Sequence, residues 1–291
     1  MSRRGWVLFS TMCVVWGIPY LLIRVAVREV TPATLVFLRC AAASAFLLPL
    51  AAARHELAPV LRRWRPLLAF AAAEVALPWL ALSSAERRVS SSLAALLVAA
   101  VPFVGVAIAA ATRSRERLDR VRATGLVVGI VGVAAIVGFD VGSTSGAGLA
   151  EMAVVVAGYA AGPWVLARSL ADLPSLGVIA ASLGTCAVAY APVAALQLPR
   201  RLPGSHALLS IAALAVICTA LAFVLFFELI AEVGPVRATV ITYVNPAVAA
   251  VLGVAVLHER LTAGMGAGFV LVLAGSVLAT RAERQALVAE P

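Results

Sequence analysis

The stretch NPAVAAVLGVAVLHERLTAGMGAG, residues 245–268, reads as an apolar helix interrupted by Pro246. A polar turn, His258-Glu259-Arg260-Leu261, follows it, and then a glycine-rich apolar run opens at Gly264. An earlier stretch repeats it: Pro102 interrupts an apolar run that ends in Glu116-Arg117-Leu118, with Gly125 beyond. The prolines lie 144 positions apart, and the Glu-Arg-Leu and glycine landmarks 143. The same offset carries Pro19, Tyr20 and Arg24 onto Pro163, Trp164 and Arg168, so both halves open on Pro-aromatic-x-x-x-Arg. The chain is a tandem of related halves: a first five-helix repeat over 1–139, a linker over 140–147, and a second repeat over 148–291 ending in a short tail.

A length of 291 residues suits two soluble domains or one membrane domain, and composition separates the two. Hydrophobic residues make up 63% and charged ones 13%, against roughly 45–50% and 25% in soluble domains. Lipid is the solvent that fits. Runs near the ~20 apolar residues that cross a bilayer fall at 6–27, 33–53, 66–85, 89–111, 121–139, 148–168, 176–197, 207–231, 235–257 and 263–281. Their length and lack of two-residue alternation predict helices rather than a membrane barrel. The expected fold class is an all-α membrane protein of ten transmembrane helices, arranged as two inverted five-helix repeats. The glycine- and proline-rich sixth run is the weakest span, and losing it would put the termini on opposite sides.

Every one of the 23 basic residues is arginine. With the N-terminus inside, the loops and helix ends divide fifteen arginines inside against six outside, leaving Arg24 and Arg39 within helices. That asymmetry predicts cytoplasmic termini in the cell inner membrane and accounts for the +9 net charge as topology, with no nucleic-acid partner. The 22-residue first run is too long for a signal peptide. Five helices per half is an odd number, so the second half enters the membrane inverted. Such inverted repeats are the usual frame of alternating-access transporters; duplication without transport is the plainer alternative.

Candidate site residues follow from polarity at membrane depth. Trp16, Tyr20 and Arg24 form one stripe beside Pro19; Arg24, near the end of its helix, reads as a snorkelling interfacial residue. Arg39 and Glu74 are the notable intramembrane charges, and both readings of such charges stand: polar anchors for substrate, or a structural ion pair between helices 2 and 3. The second half carries Leu183 and Cys218 in their places. Trp79, Tyr159, Trp164, Tyr243 and Asn245 complete an aromatic wall expected between helices 1, 3, 6 and 9, with core packing the alternative for each. Pro19, Pro102, Pro163 and Pro246 are the expected hinges. Ser90-Ser91-Ser92 and the glycines of helices 5 and 10 read as packing residues.

Catalytic signatures are missing. The three histidines lie in loops, no His-Glu-x-x-His, Gly-x-Ser-x-Gly or phosphate loop occurs, and the four cysteines have no metal or redox spacing. The sequence therefore points to neither an enzyme nor a cofactor or metal; the expected partners are a small-molecule substrate and the bilayer, and a monomer satisfies all of this.

Trp16-Gly17, Thr31-Pro32 with Arg39, Pro102 with Glu116-Arg117-Leu118 and Gly125, Thr219-Ala220-Leu221-Ala222-Phe223, and Pro246 with Glu259-Arg260-Leu261 together resemble the EamA family of the drug/metabolite transporter (DMT) superfamily, over essentially the whole chain. The resemblance implies ten helices, cytoplasmic termini, a cavity built from helices 1 to 4 and 6 to 9 with helices 5 and 10 peripheral, and export of small metabolites, often amino acids. The intramembrane lysines expected for phosphate-bearing substrates are missing, and so is the first-helix glutamate by which smaller multidrug relatives couple protons. The expectation is an exporter of small neutral metabolites, amino acids and aromatic ones among them. A proton-coupled multidrug or nucleobase exporter and a non-transporting ligand sensor are the alternatives.

Overall fold

In a computed structural model the chain is described over residues 1–112, 120–138, 145–199, 201–238 and 240–289, and among these residues it is helical with no strand. Long helical segments follow the apolar runs. They are α1 (Arg3–Ala26), α2 (Pro32–Ala53), α3 (Trp64–Ala85), α4 (Ser91–Ala109), α5 (Arg120–Gly138), α6 (Gly146–Ser169), α7 (Ser175–Leu196), α8 (Ser205–Val233), α9 (Ile241–Leu257) and α10 (Ala263–Ala289). Seven, α1 to α4 and α6 to α8, are long and apolar enough to cross a bilayer, and α5, α9 and α10 contain shorter apolar helices. The first Glu-Arg-Leu, at 116–118, and most of the expected linker lie outside the described residues.

Contacts between segment ends test the alternating direction of the helices. At one end Arg4 meets Glu228 at 2.5 Å and Glu232 at 3.8 Å, Arg63 grips Asp172 through two bonds of 2.7 and 2.8 Å, and Glu56 accepts the Gly177 N–H at 3.0 Å. The Arg63 guanidinium holds the exposed Asp172 carboxyl below the usual range. At the other end Thr31 bonds Gln197 at 2.7 Å, Glu29 accepts the Gly204 N–H, and Arg88 lies 3.6 Å from Glu151. Each contact joins ends that up-and-down alternation places on the same side. Glu228, Glu232 and Glu151, which as isolated residues look like solvated helix ends, therefore tie segments together.

The two halves pack as a swap of equivalent partners. Segments α2 and α7 pack on each other, as do α4 and α9, and α5 and α10; α3 lies against α6 as α8 lies against α1. The α5–α10 pair shows this atom by atom. A Cβ on Gly132 would come within 2.7 Å of Gly268 O and Val272 N, and one on Gly275 within 2.6 Å of Gly125 O and 2.5 Å of Gly129 N. The two sets of contacts interchange under the 143-residue offset. They also run in opposite directions along the two helices, so the relation is a twofold axis across them. Backbones touch here because glycines occupy the crossing points on both helices, while Val127, Ile130, Val131 and Val270 on the outer faces are more than half exposed, where lipid covers them.

Of the four expected hinges, two mark breaks. A turn at 16–18 precedes Pro19, and a turn at 99–100 precedes Pro102. Pro163 and Pro246 instead sit inside continuous helices. There α6 packs along α3 and α4, and α9 along α4 and α1, neighbours that let a spanning helix carry a proline.

The reciprocal glycine seam makes a prediction. Gly275→Leu forces a side chain into backbone and should cost about 1–3 kcal/mol, seen as a lower thermal midpoint in detergent. Gly105→Leu, where nothing lies within 4 Å, should leave the midpoint unchanged or raise it.

Candidate functional site

Two widened helical turns prepare the site. Residues Ala71–Ala76 of α3 and Val216–Leu221 of α8 form π-helical turns 145 positions apart. A π turn leaves carbonyls poorly served by its own helix, and in lipid other groups must serve them. In α3 the help comes from α7: the Tyr190 hydroxyl donates to Ala76 O at 3.0 Å and the Cys186 thiol approaches Ala71 O at 3.7 Å. In α8 the Thr219 hydroxyl donates to Leu214 O at 2.7 Å.

Glu74 and Thr219 each occupy the fourth position of their π turn. The structural counterpart of Glu74 is therefore Thr219, and the Cys218 assigned by uniform offset is one residue out of step.

Arg39 is 8% exposed, deep in α2. Its Nε donates to Thr219 Oγ1 at 2.8 Å, and its guanidinium carbon lies 3.6 Å from the centre of the Trp79 ring. The Thr219 hydroxyl thus gives its hydrogen to Leu214 and offers its lone pair to Arg39. Trp79 supplies a π face to the cation, an interaction that strengthens when water is excluded.

Glu74 faces α6. A Cβ on Gly162 would fall on its carboxylate, and one on Gly158 would lie 2.5 Å from Pro78 Cγ and 2.6 Å from Ala73 O, so these two glycines let the helices touch. Glu74 Oε2 is buried without a hydrogen-bond partner. Tyr159 is within electrostatic range of both Arg39 and Glu74, and Tyr20 of α1 is within range of Tyr159. Among the described residues Arg39 and Glu74 form no ion pair within 4 Å. The structural pair between helices 2 and 3 is not made in this arrangement.

Arg39, Glu74, Trp79, Tyr159 and Tyr20 thus converge, on α2, α3, α6 and α1, with Thr219 from α8. The others stand apart. Trp16 packs on Phe226 and Phe223, with ring centres 4.7 and 5.9 Å away, in an aromatic group between α1 and α8 that borders the Trp79 cluster. Trp164 lies 5.5 Å from its own helix neighbour Arg168. Tyr243 bonds Ser276 of α10 at 3.1 Å, away from the site. With its amide assigned so that nitrogen faces the two carbonyls, Asn245 donates to Ile241 O at 2.9 Å and Cys13 O at 3.1 Å, clamping α9 to α1. Of the helices expected to form the wall, α1, α3 and α6 contribute to this group together with α2 and α8, and the named residues of α9 meet α10 and α1 instead. Arg24 does not snorkel: its guanidinium donates to the carbonyls of Glu86 and Val89. The serines at 90–92 are also more than packing residues, because Ser90 caps α4 and Ser91 and Ser92 receive Glu259.

A bundle that is all-helical among the described residues, with lipid-facing apolar sides and an arginine and a carboxyl in its interior, defines a multi-pass membrane protein built around a polar interior site. The EamA-like transporter family model matches residues 3–138 and again 146–281, and the chain belongs to that family. A transporter, and not an enzyme, is what that membership supports. No curated protein matches the sequence. A solved structure described as "Crystal structure of protein" is similar at 21% identity and a TM-score of 0.68, over 98% of this chain and 99% of that one, a likeness of fold.

The Arg39–Thr219 bond can be tested on its own. Thr219→Val keeps the shape but leaves a buried guanidinium N–H unpaired, and should cost about 1.5–3 kcal/mol. Thr185→Val, which removes only a bond to Ala181 O within its own helix, should cost much less in the same thermal unfolding measurement.

Proposed function

We propose that the chain is an alternating-access secondary transporter that exports small neutral metabolites, amino acids in particular, across the cytoplasmic membrane. The supporting observation is a buried guanidinium and a buried carboxyl in the bundle interior that do not bond each other. Arg39 is fixed by Thr219 and Trp79 through Nε and its ring-stacked face, and Glu74 has a buried oxygen without a donor. A zwitterion supplies both missing partners: its carboxylate to the guanidinium and its ammonium to the carboxylate. Trp79, Tyr159 and Tyr20 offer apolar faces beside them, which suit an aromatic or aliphatic side chain.

The same reading takes all ten helical segments as membrane crossings, both termini as cytoplasmic, and residues 140–147 as the link between halves that exchange conformations. Reciprocal packing across α2–α7, α4–α9 and α5–α10 supports it, because equivalent halves interconvert two states of similar energy.

The test is uptake of labelled tryptophan, phenylalanine, threonine and methionine into liposomes holding the purified protein, with and without a pH gradient. Wild-type protein is expected to admit at least one of them. Arg39→Lys keeps the charge but loses the planar stack and the Nε bond, and should slow entry by about tenfold to a hundredfold, the rate equivalent of 1.5–3 kcal/mol. Glu74→Gln should weaken amino-acid entry by a similar factor. Loss of organic-cation transport in Glu74→Gln, with amino acids unaffected throughout, would replace this reading with a cation exporter. No entry above empty liposomes, by folded protein, would contradict amino-acid transport.

A further inference from the structure

Glu86 lies outside the helical spans, in the turn from α3 to α4, and is nevertheless 0% exposed. Its surroundings are specific. From α4, the Ser91 hydroxyl lies 2.7 Å from Glu86 Oε2 and 3.3 Å from Tyr20 O. From α1, Arg24 spends its guanidinium on main-chain carbonyls, those of Glu86 and Val89, and Tyr20 is within electrostatic reach. From the α9–α10 connection, Glu259 places Oε1 on the Ser91 N–H at 2.8 Å and Oε2 on the Ser92 N–H and hydroxyl at 2.9 and 2.7 Å. Within the turn itself Arg87 donates to Val27 O at 3.2 Å and Arg88 lies 3.6 Å from Glu151 of α6, which also receives Ser84. Every nearby cation is engaged elsewhere, and among the described residues none forms an ion pair with the Glu86 carboxyl.

Hydrogen counting distinguishes the two forms of Glu86. Ser91 has one hydroxyl hydrogen. If Glu86 is ionised, that hydrogen must turn to Oε2, Tyr20 O loses it, and the charge on buried Oε1 has no donor. If Glu86 is protonated on Oε2, its O–H donates to Ser91, Ser91 donates to Tyr20 O, and the chain closes with a neutral Oε1, a much smaller desolvation cost.

We infer that Glu86 is a proton-binding site, and that the bound proton holds α1, the α3–α4 turn and α4 together at the end of the bundle away from the N-terminus. Burial pushes the Glu86 carboxyl up to about 8; the Ser91 hydrogen bond and Arg24 oppose the rise, and the negative charge of Glu259 adds to it. Two carboxyl groups on one serine thus divide their tasks: Glu259 holds the helix N-terminus and Glu86 holds the proton. A carboxyl raised from 4.5 contributes stability that is complete below about 4.5 and lost as the pH rises through about 8.

The site goes beyond the transport reading and its test needs no substrate. In infrared difference spectra of the full-length protein, wild type minus Glu86→Gln at pH 6 should show the carbonyl stretch of one protonated carboxyl, and the band should vanish above about pH 9. Carboxylate bands in the pH 6 difference would overturn the proposal. The thermal midpoint of the wild type should fall between pH 5 and pH 9, and that of Glu86→Gln should fall less; equal falls would overturn it too. Should Glu86→Gln fail to fold, Ser91→Ala takes its place. Removing the acceptor of the Glu86 O–H should shift that carbonyl band, and an unshifted band would contradict the assignment.

Discussion

A polar group inside lipid can turn only to the rest of the protein, and most of this structure answers that constraint. The π turns of α3 and α8 free carbonyls, and Tyr190, Cys186 and Thr219 take them up. Arg39 is buried because Thr219 and Trp79 receive it. Arg24 closes the carbonyls at the end of α3, Glu259 closes the amides at the start of α4, and Asn245 binds α9 to α1. Against so much satisfied polarity, the unpartnered oxygens of Glu74 and Glu86 are informative. Glu74 shares Tyr159 as a neighbour with Arg39, the only buried arginine among the described residues; Glu86 lies in a hydrogen-bond chain that a single proton would complete.

Symmetry supplies the scaffold and departure from symmetry supplies the chemistry. Glycine contacts between α5 and α10 interchange under the repeat, and so do the pairings of the remaining segments. The two π turns share a place as well, but their fourth residues differ: an acid in one half, a hydroxyl in the other. Arg39 answers Thr219 across the axis, while Leu183 occupies its place in the second half. The interior of a symmetric frame is therefore chemically asymmetric.

The helical segments were legible from sequence because lipid imposes long apolar runs, and the repeat was legible because Pro102, Pro246 and the glycines recur at nearly one offset. Arg39 and Glu74 stood out by charge at membrane depth. The π turns left no such mark: Pro78 follows one of them, whereas α8 has no proline, and they lie 145 rather than 144 positions apart, so a uniform offset hides Thr219 behind Cys218. Tyr243 and Trp164 were legible as polar aromatics, yet spacing along a helix does not say which neighbour that face meets; Tyr243 meets α10. Glu86 beside Arg87 and Arg88 looks like an interfacial acid, and only the packing of α1 and α4 over the turn reveals its burial.

The central claim is that the second half is the first half turned over in the membrane. Arg62 and His206 are equivalent under the 144-residue offset and both are exposed. Single cysteines at these two positions, in a cysteine-free background, should react with a membrane-impermeant thiol reagent from opposite faces of sealed vesicles. Reaction of both from the same face would contradict the inverted arrangement and the alternating-access account that stands on it.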